Sequence, residues 1–450
     1  MKRVTAQYLA RYAEPEARIA DGLSRRYECA LVVPACRESS HLLNGYDDAL
    51  RAGPAPSLVV LVVNGAVDAD ERTHSLNSAL ILALTGGGKP AIRVSHSPPG
   101  WLIEHGEHHL LLIDRATPRH QLPARQGVGL ARRIGCDIAL SLYEKGKLIK
   151  PWFFSTDADV KLPPDYFGRA AGWEARGGPA SALLYPFRHG KSSDPELEQA
   201  TQIYEVSLRY YVLGLAWAGS PYAFQSVGSS IAVHAESYAA VRGFPQRLAG
   251  EDFYLLEKLA KVDPVARLRG GPIEIQTRHS DRTPFGTGHG VGKIQSLVKS
   301  GSDFTLDHPD SFGALRAWLG AVDAFCEEPE ARVLREGLAS LEAPLQRASV
   351  QALEASGAFT ELLKAAQQAR PGSALARRAH TWFDSLRTLK FLHALRGLMT
   401  PLPWRKALGQ ARFCSGLGVD AGSAEPGALS ELLLAREAEQ SSVVGPTLAR

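Results

Sequence analysis

From Tyr27 to about residue 290, short apolar runs alternate with longer segments whose apolar residues recur over several turns. The runs "CALVVPA", "SLVVLVVNG", "HHLLLID", "WFFSTDAD", "ALLYPF" and "SSIAVH" are rich in Val, Ile, Leu and Phe and bounded by Gly, Pro, Asp or Ser. They are too short for helices and predict buried strands. "HSLNSALILALTG", "GVGLARRIGCDIALSLYEKG" and "TQIYEVSLRYYVLGLAWAG" have helical length. Such alternation predicts an α/β domain with a mostly parallel sheet, whose ligands sit at the carboxyl ends of the strands. After about residue 305 the pattern becomes helix-period, rich in Ala and Leu and broken by Pro or Gly, which predicts a helical region. The expected organisation is an N-terminal helical extension over 1–26, the α/β domain over 27–300, helices over 301–400 and a loosely ordered tail over 401–450.

The densest candidate chemistry is "PWFFSTDADVKLPPDYF", residues 151–167, where an apolar strand runs into Asp157 and Asp159. A strand delivers them to the carboxyl edge of the sheet. Paired hard oxygen donors suit Mg²⁺ or Mn²⁺, which bridge readily to phosphate. The plain alternative is that one aspartate caps a turn while the other is solvated. Downstream, "SSIAVHAESYAAVRGFPQRLAGEDFYLLEKLAKV" presents a strand, a Gly-Phe-Pro turn and the acidic pair Glu251 and Asp252 opening an amphipathic helix. Alone, those acids read as complements to the helix dipole.

Taken in order, "VVPACRE", "GVGLARRIGCDIAL", "STDADVKLPP" and "GSSIAVHAESYAAVRGFPQRLAGEDFYLLEKLA" resemble the GT-A fold glycosyltransferases, most closely the family-2 group and its bacterial relatives. The resemblance spans roughly residues 27–290. It implies a Rossmann-like GT-A domain that moves a sugar from a nucleotide-diphosphate sugar, UDP- or GDP-linked, to an acceptor hydroxyl. Pro34 and Glu38 would lie beside the nucleotide, Asp157 near its ribose or base, and Asp159 on the metal, Mn²⁺ or Mg²⁺. Asp252 matches the catalytic base and Glu251 an acceptor-binding or supporting group. Arg125 and Arg132 would face the diphosphate. His279 stands where relatives place a further metal ligand or a diphosphate contact, and Arg278 and Arg282 are placed to clamp phosphate by bidentate hydrogen bonds.

Two departures stand out. Where the family pattern has an acidic cluster after the second strand, this chain has "VVNGAVDAD", so Asn64 takes the place of the base-reading aspartate and Asp68 and Asp70 come late. The segment "TRHSDRTPFGTGHGVGK" is unusually rich in Arg, His and Gly. Its glycines do not fit a phosphate-binding Walker loop, and they suggest a flexible cover over the donor.

Composition narrows the field further. Lys and Arg number 51 against 47 Asp and Glu, scattered along the chain, which gives no footprint for nucleic acid. Five cysteines without metal-type spacing fit a reducing, cytoplasmic setting. No apolar run is long enough to span a membrane. The basic stretch "ARRAHTWFDSLRTLKFLHALRGLMTPLPWRKALGQAR" allows a peripheral contact with the inner face of a membrane, or else packs its apolar side on the protein. The acceptor is expected to be small and polar, or a glycan or lipid-linked precursor; inversion and retention stay open. Rivals are a haloacid-dehalogenase-like phosphohydrolase with Asp157 as nucleophile and Asp159 as acid, a nucleotidyltransferase, and a non-catalytic nucleotide-sugar-binding module. The first would open its domain with the aspartates, and the second needs a Gly-rich basic loop after the first strand that "VVPACRESSHLL" lacks.

Overall fold

The computed structural model describes residues 2–88, 90–247, 250–279, 286–440 and 442–446. Arg282 lies outside them. The chain forms two compact units, each from two segments: Met1–Lys191 with Ser226–His289, and Ser192–Gln225 with Gly290–Arg450.

The first unit is α/β. Its strands are β1 (Ala30–Ala35), β2 (Leu58–Asn64), β3 (Ala91–His96), β4 (Pro99–His105), β5 (His108–Arg115), β6 (Trp152–Ser155), β7 (Val160–Lys161), β8 (Ala182–Leu184), β9 (Phe187–His189), β10 (Ile231–His234), β11 (Val265–Arg267) and β12 (Ile273–Ile275). Its large sheet runs β11-β8-β10-β6-β1-β2-β5-β4-β3. β1 pairs in parallel with β2 and β6, β2 with β5, and β8 with β11. Among these nine strands β4 and β10 run against the others. Every residue of β1, β2 and β6 is buried, which explains their unbroken apolar runs: strands covered on both faces have no polar side to alternate with. The hairpin β3–β4 lacks such a run and gave no signal; β3 is the half-exposed edge.

From β1 the chain moves to β2 and β5 on one side and returns to β6 on the other. The connections leaving β1 and β6 therefore diverge, and a crevice opens at their carboxyl ends. Pro34 is tolerated in this central strand for a local reason. The Val32 carbonyl accepts from the Thr156 N–H at 3.1 Å, and the β1–β6 pairing ends there. Two residues later Pro34 faces the same side beyond that pairing, so its missing N–H removes no ladder bond.

Helices α1 (Lys2–Arg11), α2 (Asp47–Ala52), α3 (Glu71–Gly86) and α4 (Val128–Glu144) precede β6. Asp70 caps α3, its carboxylate accepting the Thr73 N–H at 2.8 Å, which is the plain role for that acid. α4 lies against β1. A Cβ at Gly135 would collide with the Val32 side chain, so glycine permits the close approach. The far side of α4 is covered by the N-terminal segment: the Tyr8 and Tyr238 hydroxyls both donate to Asp137 Oδ1 at 2.8 Å, and the Glu14 N–H donates to Oδ2. Burial pushes Asp137 up to about 7. After β6 come α5 (Tyr166–Arg176), the excursion α6 (Pro195–Trp217), α7 (Ala235–Ala240) and α8 (Glu251–Ala260). A small second sheet, β7-β12-β9, stands beside the Asp-x-Asp segment.

The second unit is helical. α6 packs in one core with helices that include Pro309–Glu327, Ala343–Ala355, Ser385–Leu395 and Pro426–Ala438. Trp318, Phe312, Leu353, Leu392 and Leu429 are fully enclosed there. Three expectations change. The boundary near 300 put α6 with the sheet, but its apolar residues belong to the helical core. Residues 401–450, expected to be loose, contribute Trp404, Leu408, Phe413 and Leu433 to that core. The glycines after 286 fall in the helix Thr287–Lys299 rather than a loop; Gly290 leaves room for the Tyr204 ring. Of the two readings of the basic stretch, the inward-packed one holds: Phe383, Leu392 and Trp404 are buried. Among the described residues no helix is long and apolar enough to cross a membrane.

Candidate active site

The site begins with β6. Its last residue, Ser155, and the two that follow turn polar groups toward α4, where Arg132 is only 2% exposed. A buried guanidinium needs acceptors on all its edges. Arg132 donates from Nη1 to Ser155 Oγ at 2.8 Å and the Thr156 carbonyl at 3.1 Å, from Nη2 to Asp157 Oδ1 at 2.6 Å, and from Nε to Glu251 Oε1 at 3.1 Å. One side chain thus ties the Asp-x-Asp segment to the first turn of α8. Arg132 is a bridge within the protein here, not a side chain projecting toward a ligand.

Asp252 follows Glu251 on that turn. Burial and the neighbouring Glu251 charge push its carboxyl up to about 7, against the Phe253 N–H and Arg132, which favour the ionised form; Asp157 adds to the rise. The Phe253 N–H donates to Asp252 Oδ1 at 2.7 Å. A carboxyl that ionises near neutrality is suited to taking a proton.

The second half of the site is assembled by the small sheet. β12 pairs with β7, and the Gln276 N–H extends the ladder to the Asp159 carbonyl at 2.8 Å. Two residues later Arg278 reaches the Asp159 side chain, with Nε 2.9 Å and Nη2 2.7 Å from Oδ2. Its Nη1 donates to Glu38 Oε2 at 3.1 Å, and Nη2 to Glu38 Oε1. Glu38 lies on the loop after β1 and Asp159 on the segment after β6, so Arg278 joins the two strand ends flanking the crevice.

Backbone contacts hold these segments in place. The buried Tyr46 hydroxyl donates to the Asp157 carbonyl at 2.8 Å. The Leu162 N–H donates to the Gly45 carbonyl, and a Cβ at Gly45 would strike the Val160 carbonyl. Asn77 donates from Nδ2 to the Asn64 carbonyl at 3.0 Å and accepts the Arg37 N–H on Oδ1 at 2.8 Å. It thereby links the ends of β2 and β1. Tyr46 and Asn77 carry no motif, and nothing in the sequence singles them out.

The expected residues divide accordingly. Asp157, Glu251 and Arg132 form one ion-pair group at the crevice and Glu38, Asp159 and Arg278 another, with Asp252 following Glu251 on its turn. Pro34 and Asn64 are buried near the ends of their strands. Arg125 is exposed on the loop before α4 rather than on the helix, with a left-handed φ of 60°. His279 is exposed beside Arg278.

The chemistry of the donor set bears on a divalent cation. Among the described residues no three His, Cys, Asp or Glu side chains gather as a ligand group. Asp157, Asp159 and Glu38 are nonetheless hard oxygen donors of the kind Mg²⁺ and Mn²⁺ select, and the guanidinium of Arg278 already stands on two of them as a cation. No protein-family model matches the chain, and no curated protein does.

Proposed function

We propose that the protein is a glycosyltransferase of the GT-A type, moving a sugar from a nucleotide-diphosphate sugar to an acceptor hydroxyl. The observation that carries the reading is Arg132. By binding Asp157 and Glu251 together, it sets the Asp-x-Asp segment beside a helix start whose Asp252 titrates near neutrality. The crevice between β1 and β6, bordered by Glu38, Asp157 and Asp159, offers a place for the nucleotide diphosphate at the edge where open α/β sheets bind ligands.

In this reading the ionised Asp252 accepts the proton of the acceptor hydroxyl as that oxygen attacks the anomeric carbon. The bond from that carbon to the diphosphate oxygen breaks, and the electron pair leaves with the nucleoside diphosphate. Glu251, held by Arg132, fixes the turn that carries Asp252. A bound Mg²⁺ or Mn²⁺, held by Asp159 with Asp157, would supply positive charge to the leaving diphosphate. We read the enzyme as cytoplasmic, acting on a small polar acceptor or on a glycan or lipid-linked precursor.

A thermal-shift panel tests the donor site. UDP, GDP, dTDP and CDP are each added with Mn²⁺, Mg²⁺ or EDTA. A ligand at about 100 times its dissociation constant stabilises the native state by about 2.7 kcal/mol, so one nucleotide is expected to raise the midpoint clearly. If none does so in folded protein, the donor-site reading is wrong.

A further inference from the structure

The turn after α7, residues 241–247, carries two exposed arginines, Arg242 and Arg247. α4 fixes the backbone of this turn. Arg133 donates from Nη1 to the carbonyls of Arg242 at 3.3 Å and Phe244 at 3.2 Å, and a Cβ at Gly129 would strike the carbonyls of Pro245 and Arg247. Each arginine of the turn lies over an aromatic ring: Arg242 is 4.7 Å from the centroid of Tyr12, and Arg247 is 3.8 Å from that of Tyr254. Lys258 stands one helical turn beyond Tyr254, on the exposed side of α8. Partial desolvation, and then the charges of Arg133, Arg247 and Arg242, hold its ammonium below the ordinary lysine range, with Glu257 acting against them. These cations therefore lie within electrostatic reach of one another.

Arg133 is answered by Glu14, whose Oε1 lies 2.9 Å from its Nε. The other three are not answered. Among the described residues the side chains of Arg242, Arg247 and Lys258 make no ion pair and no hydrogen bond. Stacking on a ring uses the face of a guanidinium and leaves its edge of N–H donors open. Tyr12 and Tyr254 thus orient two guanidiniums without consuming a donor. Arg242 also holds a left-handed φ of 66°, which glycine would adopt with less strain. Three like charges gathered without a partner repel one another until an anion joins them.

We propose that Arg242, Arg247 and Lys258 form a binding site for a phosphate group. Two planar forks and an ammonium match its several oxygens. None of the three takes part in the ion pairs of the crevice, so this site is separate from the one offered to the nucleotide. Lys258 follows Asp252 on the same helix, about 9 Å further along by helical rise. In the reaction proposed above the phosphate belongs to the acceptor, as a soluble phosphate ester or as the headgroup of a lipid-linked one. That use rests on the reading of Asp252, whereas the binding does not.

The test uses the full chain in EDTA and without nucleotide, so that neither metal nor donor takes part. One arm follows the thermal midpoint against inorganic phosphate, with ionic strength held constant by chloride. The other follows co-sedimentation with phosphatidylcholine vesicles, with and without phosphatidic acid. Wild type is expected to bind in at least one arm. Arg242→Gln, Arg247→Gln and Lys258→Gln should each lose about fivefold in affinity, and the triple variant far more. Tyr254→Leu keeps every charge but releases Arg247, and should lose about threefold. Arg93→Gln removes an exposed arginine stacked on Trp101; it controls for net charge and should stay close to wild type. Binding of inorganic phosphate assigns the site to a soluble ester, and binding to the phosphatidic acid vesicles alone assigns it to a lipid headgroup. No binding in either arm overturns the proposal, as does equal binding by wild type and the folded triple variant, an equal loss in Arg93→Gln, or undiminished binding by folded Tyr254→Leu. Failure of every nucleotide in the thermal-shift panel removes the donor-site reading and leaves this comparison standing.

Discussion

Asp252 sits beside a buried carboxylate and a buried guanidinium, and its ionisation near 7 follows from which of them prevails. Burial and Glu251 outweigh Arg132 and the Phe253 N–H. As a base it acts only when ionised, so the rate of transfer should fall about tenfold for each pH unit below about 7 and level off above. The pH profile of kcat/KM measures this, and a flat profile between pH 5 and 8 would remove Asp252 from the role. Asp252→Asn should lower kcat by about 10²–10⁴-fold while nucleotide affinity, followed by calorimetry, stays within threefold. Arg132 makes a different prediction. Arg132→Met leaves Glu251 buried without its guanidinium, and losing one partner of such a pair costs about 3–5 kcal/mol. Adding Glu251→Leu should recover much of that loss in urea denaturation, because the stranded charge has then gone as well. If the double variant is as unstable as the single one, the pair is not what holds α8 to the Asp-x-Asp segment.

At the scale of elements, α4 decides how the crevice is built, and Gly135 decides how close α4 comes to β1. In an exposed helix Gly→Ala would stabilise by about 0.8–1 kcal/mol. Here the added methyl meets Val32, and overpacking of that kind costs about 1–3 kcal/mol, so the sign reverses. Gly135→Ala should therefore lower the thermal midpoint, and Val32→Ala in the same chain should partly restore it. A rise in the midpoint with the single substitution would show that α4 shifts freely. The elements differ in how far the sequence announced them. β1, β2, β5 and β6 were legible because burial on both faces leaves an unbroken apolar run. β7, β9 and β12 span two or three residues and leave no periodicity to read, yet they deliver Arg278 to Asp159. Asp157, Asp159 and Asp252 were legible from their positions at strand and helix ends. The partners that hold them were not: Arg132 and Glu251 are 119 residues apart, and Arg278 and Glu38 are 240 apart. The glycines after 286 looked like a loop because helix propensity counts against glycine, whereas packing on Tyr204 requires it at Gly290.

For the molecule as a whole, two acids contribute a pH dependence of stability opposite to the usual carboxylate case. Asp137 and Asp252 both ionise near 7 in the folded protein, against an ordinary 3.8. Between those values the folded state holds protons that the unfolded state has released. Their contribution is therefore fully present below about pH 4 and is lost as pH rises through about 7. Other groups titrate too, so the useful quantity is a difference. The stability of wild type minus that of Asp252→Asn should decline from pH 4.5 to 7 and then level off, as read from urea midpoints at several pH values. A difference that rises with pH would mean that Asp252 is held ionised.

The interruption of the sheet unit by α6 also has a meaning in time. α6 leaves the ribosome well before the helices Pro309–Glu327 and Pro426–Ala438, which share its core. At about 5–20 residues per second, the last of these partners follows roughly 10–50 s later. For that interval the apolar faces of a 23-residue helix have no finished core to enter. β10 is likewise made only after α6, yet it must slot between β6 and β8. Synthesis order and folding order are out of step in this chain.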